Sequence, residues 1–220
     1  INDNETKKLI QNFNINDLES FFKDLLEKYY FWANLIKDWN IKRTNSIKNI
    51  DFPFSSYRKG QRELAVAVYG TIKEGKNIFV QAPTGIGKTI STLFPSIKAM
   101  GENLTSKVFY LTAKTITRSV AEEAIKLMLN KGLELKSVTL TAKDKICFKE
   151  KSSCNPEECE FAKGHFDRIN NALKEVLSKE NIMDRETIIR YSRKFNVCPF
   201  EFSLDLALLS DCIICDYNYA

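Results

Sequence analysis

The 220-residue chain has one histidine, from which no Ser/His/Asp or Cys/His nucleophile system can be assembled. No apolar run approaches the roughly 20 residues that span a bilayer. The longest candidates, IFVQA and LDLALLSDCIIC, are short or broken by charge, so an integral membrane protein is not expected. No basic stretch followed by an apolar one opens the chain, which argues against a secretory signal and makes a cytoplasmic protein the default. Neither sign of charge dominates: 33 basic against 28 acidic residues leave +5, a mild surplus that would favour a polyanion but does not require one. What is present is an ordinary globular composition, 44% hydrophobic and 28% charged, which excludes disordered, collagenous and coiled-coil classes. The first residue is Ile1 rather than Met, as expected of a piece of a longer or processed polypeptide.

Residues 16–41 place Leu18, Phe22, Leu25, Leu26, Tyr29, Ala33 and Ile36 at three- and four-residue steps, which predicts an amphipathic helix capped by Asn16 or Asp17. Its aromatic stripe reads as core packing. The following stretch, with Pro53 and Gly60, reads as a connector. From Gln61 the pattern alternates: a helix with Leu64, Val68 and Ile72 on one face, a buried strand at 77–82, a turn, and a helix that Pro95 should kink or shorten. A strand at 107–112, a helix at 119–129 and a strand at 137–141 follow. This alternation predicts an α/β fold with a parallel sheet flanked by helices. Residues 142–200 read as a helical insertion without a strand, with Phe166, Ile169, Leu173 and Val176 on one face. Residues 201–220 return to a helix and an apolar strand.

The segment Ala82-Pro83-Thr84-Gly85-Ile86-Gly87-Lys88-Thr89 matches the phosphate-loop pattern G-x-x-x-x-G-K-[ST] except at its first position. Polyphosphate binding needs a tight loop that aims successive N–H groups at phosphate oxygens. Gly85 and Gly87 permit the close approach, Lys88 would reach the β- and γ-phosphates, and the Thr89 hydroxyl would ligate Mg²⁺. Such a site also needs an acidic residue at the end of another strand. Only CIICD offers one, Asp216, and the following residue is Tyr217 rather than Glu, so the acidic box is expected beyond Ala220.

Cys147, Cys154, Cys159 and Cys198 are separated by 6, 4 and 38 residues. Four thiolates suit a tetrahedral zinc or an iron–sulfur cluster. Paired C-x2-C knuckles are absent from this set and Pro199 follows Cys198, which leans toward the cluster. Cys212 and Cys215 do form a C-x2-C, but in a strand residues three apart face opposite sides, so they read as core. His165 reads as a capping or packing residue at a helix start.

Taken in order, these segments resemble the DinG/XPD group of iron–sulfur DNA helicases, specifically its bacterial DinG-like members. FPFSSYRKGQ resembles the adenine-reading motif, which implies that Tyr57, Arg58 and Gln61 contact or frame the base. APTGIGKT resembles the helicase phosphate loop, with Ala82, Pro83, Thr84, Gly85, Ile86, Gly87, Lys88 and Thr89 at ATP. YLTAKT resembles the next motif, implying DNA-backbone contacts from Thr112 and Lys114. The four cysteines resemble the ligands of the family's [4Fe–4S] domain. Where many relatives have Arg before the first of them, TAKDKIC has Lys143 and Lys145, and Lys143 becomes a candidate phosphate contact without the bidentate fork.

The resemblance implies a helical leader (1–48), the first part of a RecA-like motor domain (49–141), the cluster insertion (142–200) and a return to the motor domain (201–220). It further implies a monomeric ATP-dependent 5′–3′ helicase acting on single-stranded or forked DNA, with ATP, Mg²⁺ and a structural [4Fe–4S] cluster as cofactors, and with DNA repair among its family roles. The Walker-B box and second motor domain are outside these residues, so the chain alone is expected to hydrolyse almost nothing. A zinc-stapled nucleotide-binding regulatory module is the rival reading.

Overall fold

The computed structural model describes residues 10–113, 115–149 and 154–219. Two compact units divide the chain, Ile1–Ile41 and Lys42–Ala220. Helix α1 (Ile15–Asn49) supplies the first and reaches into the second. Its cap is Asn14, whose Oδ1 accepts from the Asp17 amide at 2.9 Å, not Asn16 or Asp17. The expected packing of its aromatic stripe is not found: Phe21, Phe22, Leu25, Tyr29 and Tyr30 are all exposed. Within the first unit the helix has no second described element against which to bury that face. The helix also runs eight residues past Ile41, because Ile47 and Ile50 enter the core of the second unit and override a polar, loop-like sequence.

The second unit is α/β. After α2 (Gln61–Lys73) and α3 (Lys88–Gly101) come β1 (Val108–Leu111), α4 (Thr115–Leu129), β2 (Ser137–Thr139), α5 (Lys143–Ile146), α6 (His165–Lys179), β3 (Ile182–Met183), α7 (Arg185–Phe195), α8 (Pro199–Leu209) and β4 (Cys212–Cys215). A single 3₁₀ turn, Tyr217–Tyr219, closes the described chain. The sheet order is β1-β4-β2-β3 and every pairing is parallel. Cys212 and Ile214 face α3 and α4, packing with Leu93, Ile97, Met100, Ile125 and Met128. Alternation turns Ile213 and Cys215 to the other side, where α8 packs on β2 and α7 on β3.

Three expectations need correction. Residues 142–200 contain a strand, β3, which extends the sheet beside β2; two residues are too short for any periodicity to announce them. Helix α3 continues through Pro95. The buried face of α6 uses His165, Ile169, Ala172, Leu173 and Val176, while Phe166 is exposed. No described helix is long and apolar enough to cross a membrane.

The starts of three strands meet at Asp211. Its backbone oxygen accepts from Val108 N (2.9 Å) and its amide donates to Lys136 O (2.9 Å). Its carboxylate accepts from Lys136 N at 2.8 Å and from Arg43 Nη1 at 2.5 Å, with both side chains largely buried. Ammonium groups close helix ends. Lys98 Nζ donates to the carbonyls of Ile47, Lys48 and Ile50 at the end of α1, and Lys107 Nζ to those of Ala207, Leu208 and Ser210 at the end of α8. Lys136 Nζ donates to Glu180 O (2.6 Å) at the end of α6, and burial pulls its pKa down to about 8.

Asp211→Ala strands the Arg43 guanidinium in a buried setting and is expected to cost about 3 kcal/mol or more in urea unfolding. Asp211→Asn, which keeps an acceptor, is expected to cost less.

Candidate functional site

The glycine loop is built against the start of α2. Gly60 (φ +78°) lets the chain turn sharply into that helix. Gln61 is 2% exposed, and its Oε1 accepts from the Arg58 amide at 2.9 Å. Its Nε2 lies where a Cβ on Gly87 would come within 2.5 Å. Arg58 Nη1 donates to Gly85 O at 2.6 Å, and a Cβ on Gly60 would approach Ile86 Cδ1 to 2.9 Å. The YRKGQ turn and residues 85–87 therefore pack as one surface. Tyr57 stacks on Phe52 at 3.9 Å between centroids, and Phe52 meets Phe94 of α3 edge-on. A cleft of about 400 Å³, with Tyr57, Arg62, Tyr69 and Phe94 among its walls, opens between α2 and α3.

Gly85 (φ +84°) and Gly87 (φ +87°) hold the left-handed conformations that shape the loop, and α3 begins at Lys88 immediately after it. The first amides of α3 and the positive end of its dipole thus border the loop. Lys88 Nζ donates to Ala82 O and Pro83 O, both at 3.0 Å. Thr84 is exposed, and Thr89 Oγ1 lies 3.2 Å from Tyr110 OH on β1. The strand expected at 77–82 is absent. These residues form no regular element and pair with no described strand, and Phe79 is 99% exposed. An apolar run becomes a strand only where a ladder edge receives it, and none of the described strands pairs with this one.

Thr112 is buried at the end of β1, its amide donating to Cys215 O at 3.0 Å. Lys114 lies outside the described residues. Asp216 follows β4, and its Oδ2 sits 3.4 Å from Arg118 Nη2, with Arg118 Nη1 at 3.4 Å from Leu140 O. The acidic candidate is therefore engaged by an arginine of α4, a residue that sequence pattern alone did not single out.

Of the four cysteines, Cys154 is exposed, Cys147 and Cys198 are half-buried and Cys159 is buried. Among the described residues no three of His, Cys, Asp or Glu converge to hold a metal. The donors remain chemically suited to one, since four thiols lie within or beside the α5–α8 segment. The Cys154 thiol beside Lys143 raises the lysine's pKa, and the Lys143 ammonium lies 5.6 Å from the Phe200 ring centroid. Cys198 precedes α8; burial pushes its thiol up while the amides of Glu201 and Phe200 oppose that shift. His165 is buried and its Nδ1 accepts from Cys198 N at 3.2 Å, so that nitrogen carries no proton. Burial also holds its pKa below the usual histidine value. Cys212 and Cys215 are fully buried on opposite sides of β4, and burial pushes Cys212 up to about 12.

The comparisons with known proteins point to ATP-dependent helicases. Residues 112–220, just under half of the chain, match the DEAD_2 family model. A probable ATP-dependent helicase of Methanocaldococcus jannaschii is 39% identical over 46 residues, 21% of this chain and 7% of that protein. The regulator of telomere elongation helicase 1 homolog of Drosophila persimilis is 23% identical over 224 residues, covering 77% of this chain and 22% of the relative. Regulator of telomere elongation helicase 1 of Bos taurus is also 23% identical, over 77% of this chain and 18% of its own length. The chain thus spans no more than 22% of these curated relatives.

Gly87→Ala and Gly75→Ala separate packing from conformation. Both positions have positive φ, but only Gly87 has Gln61 in the way. Gly75→Ala is expected to cost about 1 to 2 kcal/mol from the left-handed backbone alone. Gly87→Ala should exceed that by about 1 kcal/mol or more for the overlap, as read from denaturant unfolding of both variants.

Proposed function

We propose that the chain is the opening part of the first motor domain of an ATP-dependent DNA helicase of the DinG type, moving 5′ to 3′ on single-stranded or forked DNA. The observation that carries this reading is the docking of Arg58 and Gln61 onto Gly85 and Gly87, which would couple a turn that frames the base to a loop that takes the phosphates. ATP would lie with its phosphates over residues 82–89. Lys88 would leave the carbonyls of Ala82 and Pro83 for the β- and γ-phosphates, Thr89 would ligate Mg²⁺, and Tyr57, Arg58 and Gln61 would frame the adenine. Lys114 and Lys143 would meet the DNA backbone, while Thr112, buried at the end of β1, would act by shaping that strand end rather than by direct contact. Hydrolysis and unwinding belong to a complete motor, a cytoplasmic monomer in this reading, and this stretch alone would turn over almost no ATP.

Cys147, Cys154, Cys159 and Cys198 would hold the [4Fe–4S] cluster. That assignment is supported by the donor set, four sulfurs with no competing histidine site. Such a cluster supplies a structural cross-link between segments, and no step of ATP hydrolysis runs through it.

In the complete protein, Lys88→Ala is expected to lower DNA-stimulated ATP turnover by at least a hundredfold, about 3 kcal/mol of lost phosphate stabilisation, while leaving DNA binding within twofold. ATPase that persists in this variant, or wild-type ATPase indifferent to DNA, would remove the motor assignment. Cys147→Ser is expected to abolish the brown absorption and bound iron of anaerobically purified protein while keeping ATP binding. One zinc and no iron in the wild type would favour a zinc-stapled nucleotide-binding module.

A further inference from the structure

The first turn of α6 carries two polar side chains three residues apart, His165 and Arg168, on one face of the helix. Arg168 reaches two separate pieces of backbone. Its Nε donates to Phe195 O (3.2 Å) and Asn196 O (3.0 Å), and its Nη2 to Asn196 O (2.6 Å), Lys163 O (2.6 Å) and, more weakly, Glu160 O (3.4 Å). The Glu160 and Lys163 carbonyls belong to the turn that starts at Cys159, where the amides of Ala162 and Lys163 donate to Cys159 O at 3.1 and 3.0 Å. The Phe195 and Asn196 carbonyls belong to the end of α7, two residues before Cys198. Asn196 there is left-handed (φ +53°), so these carbonyls leave the helix ladder and need an outside donor. His165 completes the arrangement by accepting from Cys198 N itself, with its Nε2 turned toward Asp205 Oδ2 at 3.7 Å.

We propose that His165 and Arg168 are positioning residues that hold the Cys159 and Cys198 turns together before any metal arrives, a standing half-site for a thiolate-ligated iron–sulfur cluster that Cys147 and Cys154 then complete. The inference rests on the cluster assignment made above. The physical reason is pre-organisation. Cys159 and Cys198 are separated by 38 intervening residues, and closing that loop at the moment of ligation would oppose binding; α6 closes it during folding instead. Charge-assisted bonds from one guanidinium to carbonyls on both sides suit this task, because they fix backbone without occupying a thiol. A residue serving only to fill space between α6 and α8 would not need to spend its polar atoms on the two cysteine-bearing turns.

The test uses the 220-residue chain and its His165→Leu, His165→Asn and Arg168→Lys variants, each checked for native helix content. Alkylation of every cysteine by iodoacetamide is followed by mass spectrometry on metal-free protein, and iron and sulfide are counted after anaerobic reconstitution. His165→Leu is expected to speed Cys198 alkylation about fivefold relative to Cys154, as the loss of one anchoring hydrogen bond gives. His165→Asn, which returns a side-chain acceptor, should restore the slow rate and the iron content. Arg168→Lys, which keeps the charge and loses the fork, should speed Cys159 and Cys198 together; it keeps the test decisive if the leucine variant fails to fold. Unchanged alkylation at both cysteines in folded variants overturns the proposal, as does an asparagine variant no better than leucine. Wild-type chain that takes no iron and yet shows this alkylation pattern keeps the clamp and overturns only the cluster as its ligand.

Discussion

The second unit depends on one buried carboxylate. Asp211 joins the starts of β1, β2 and β4 through its backbone and side chain and fastens the last turns of α1 through Arg43. Parallel strands need long crossovers, and their starts come from distant parts of the chain, so something must fix their relative height. A buried ion pair adds little net stability against an apolar substitute, but with one partner gone it leaves a charge that no other arrangement satisfies. That asymmetry makes it a device for register rather than for strength. The strands it aligns end on the side where Thr112, Asp216 and the loop residue Thr89 with Tyr110 are found.

The glycine loop is supported differently. Little of its order comes from the sheet, because the residues that lead into it are unpaired. Instead Gln61 at the start of α2 and Arg58 in the turn before it brace the loop, and Lys88 closes it with its own side chain. Those two bonds use two of the ammonium's three donors. The thiol-bearing region shows the same economy: α6 settles two backbone turns, and the sulfurs are left to chemistry.

Much of this was legible in the residues, and what was not has definable causes. The strands at 108–111, 137–139 and 212–215 follow short apolar runs bounded by turns, and α4 follows its periodicity. The core assignment of Cys212 and Cys215 follows from period-two alternation alone. Residues 77–82 carry a comparable apolar run, Ile78-Phe79-Val80, but have no described ladder partner, and strand formation is a property of pairs. The stripe on α1 has helical period without a described surface to meet it, and periodicity reports a face, not what covers it. Arg118 and Arg168 were invisible because a guanidinium aimed at carbonyls leaves no spacing pattern. His165 and Arg168, an i, i+3 pair opening a helix just after a cysteine, were the available hint.

The lysines at the helix ends change what the net charge means. Lys98, Lys107 and Lys136 each hold their ammonium against carbonyls at the close of a helix, where the peptide dipoles concentrate about half a negative charge. An ammonium so placed commits its donors to its own scaffold, so it is not a ready phosphate contact even though its charge still counts in the surplus of +5. That surplus is screened by salt beyond about 10 Å, and any firm hold on a phosphate chain would have to come from short-range geometry at other residues.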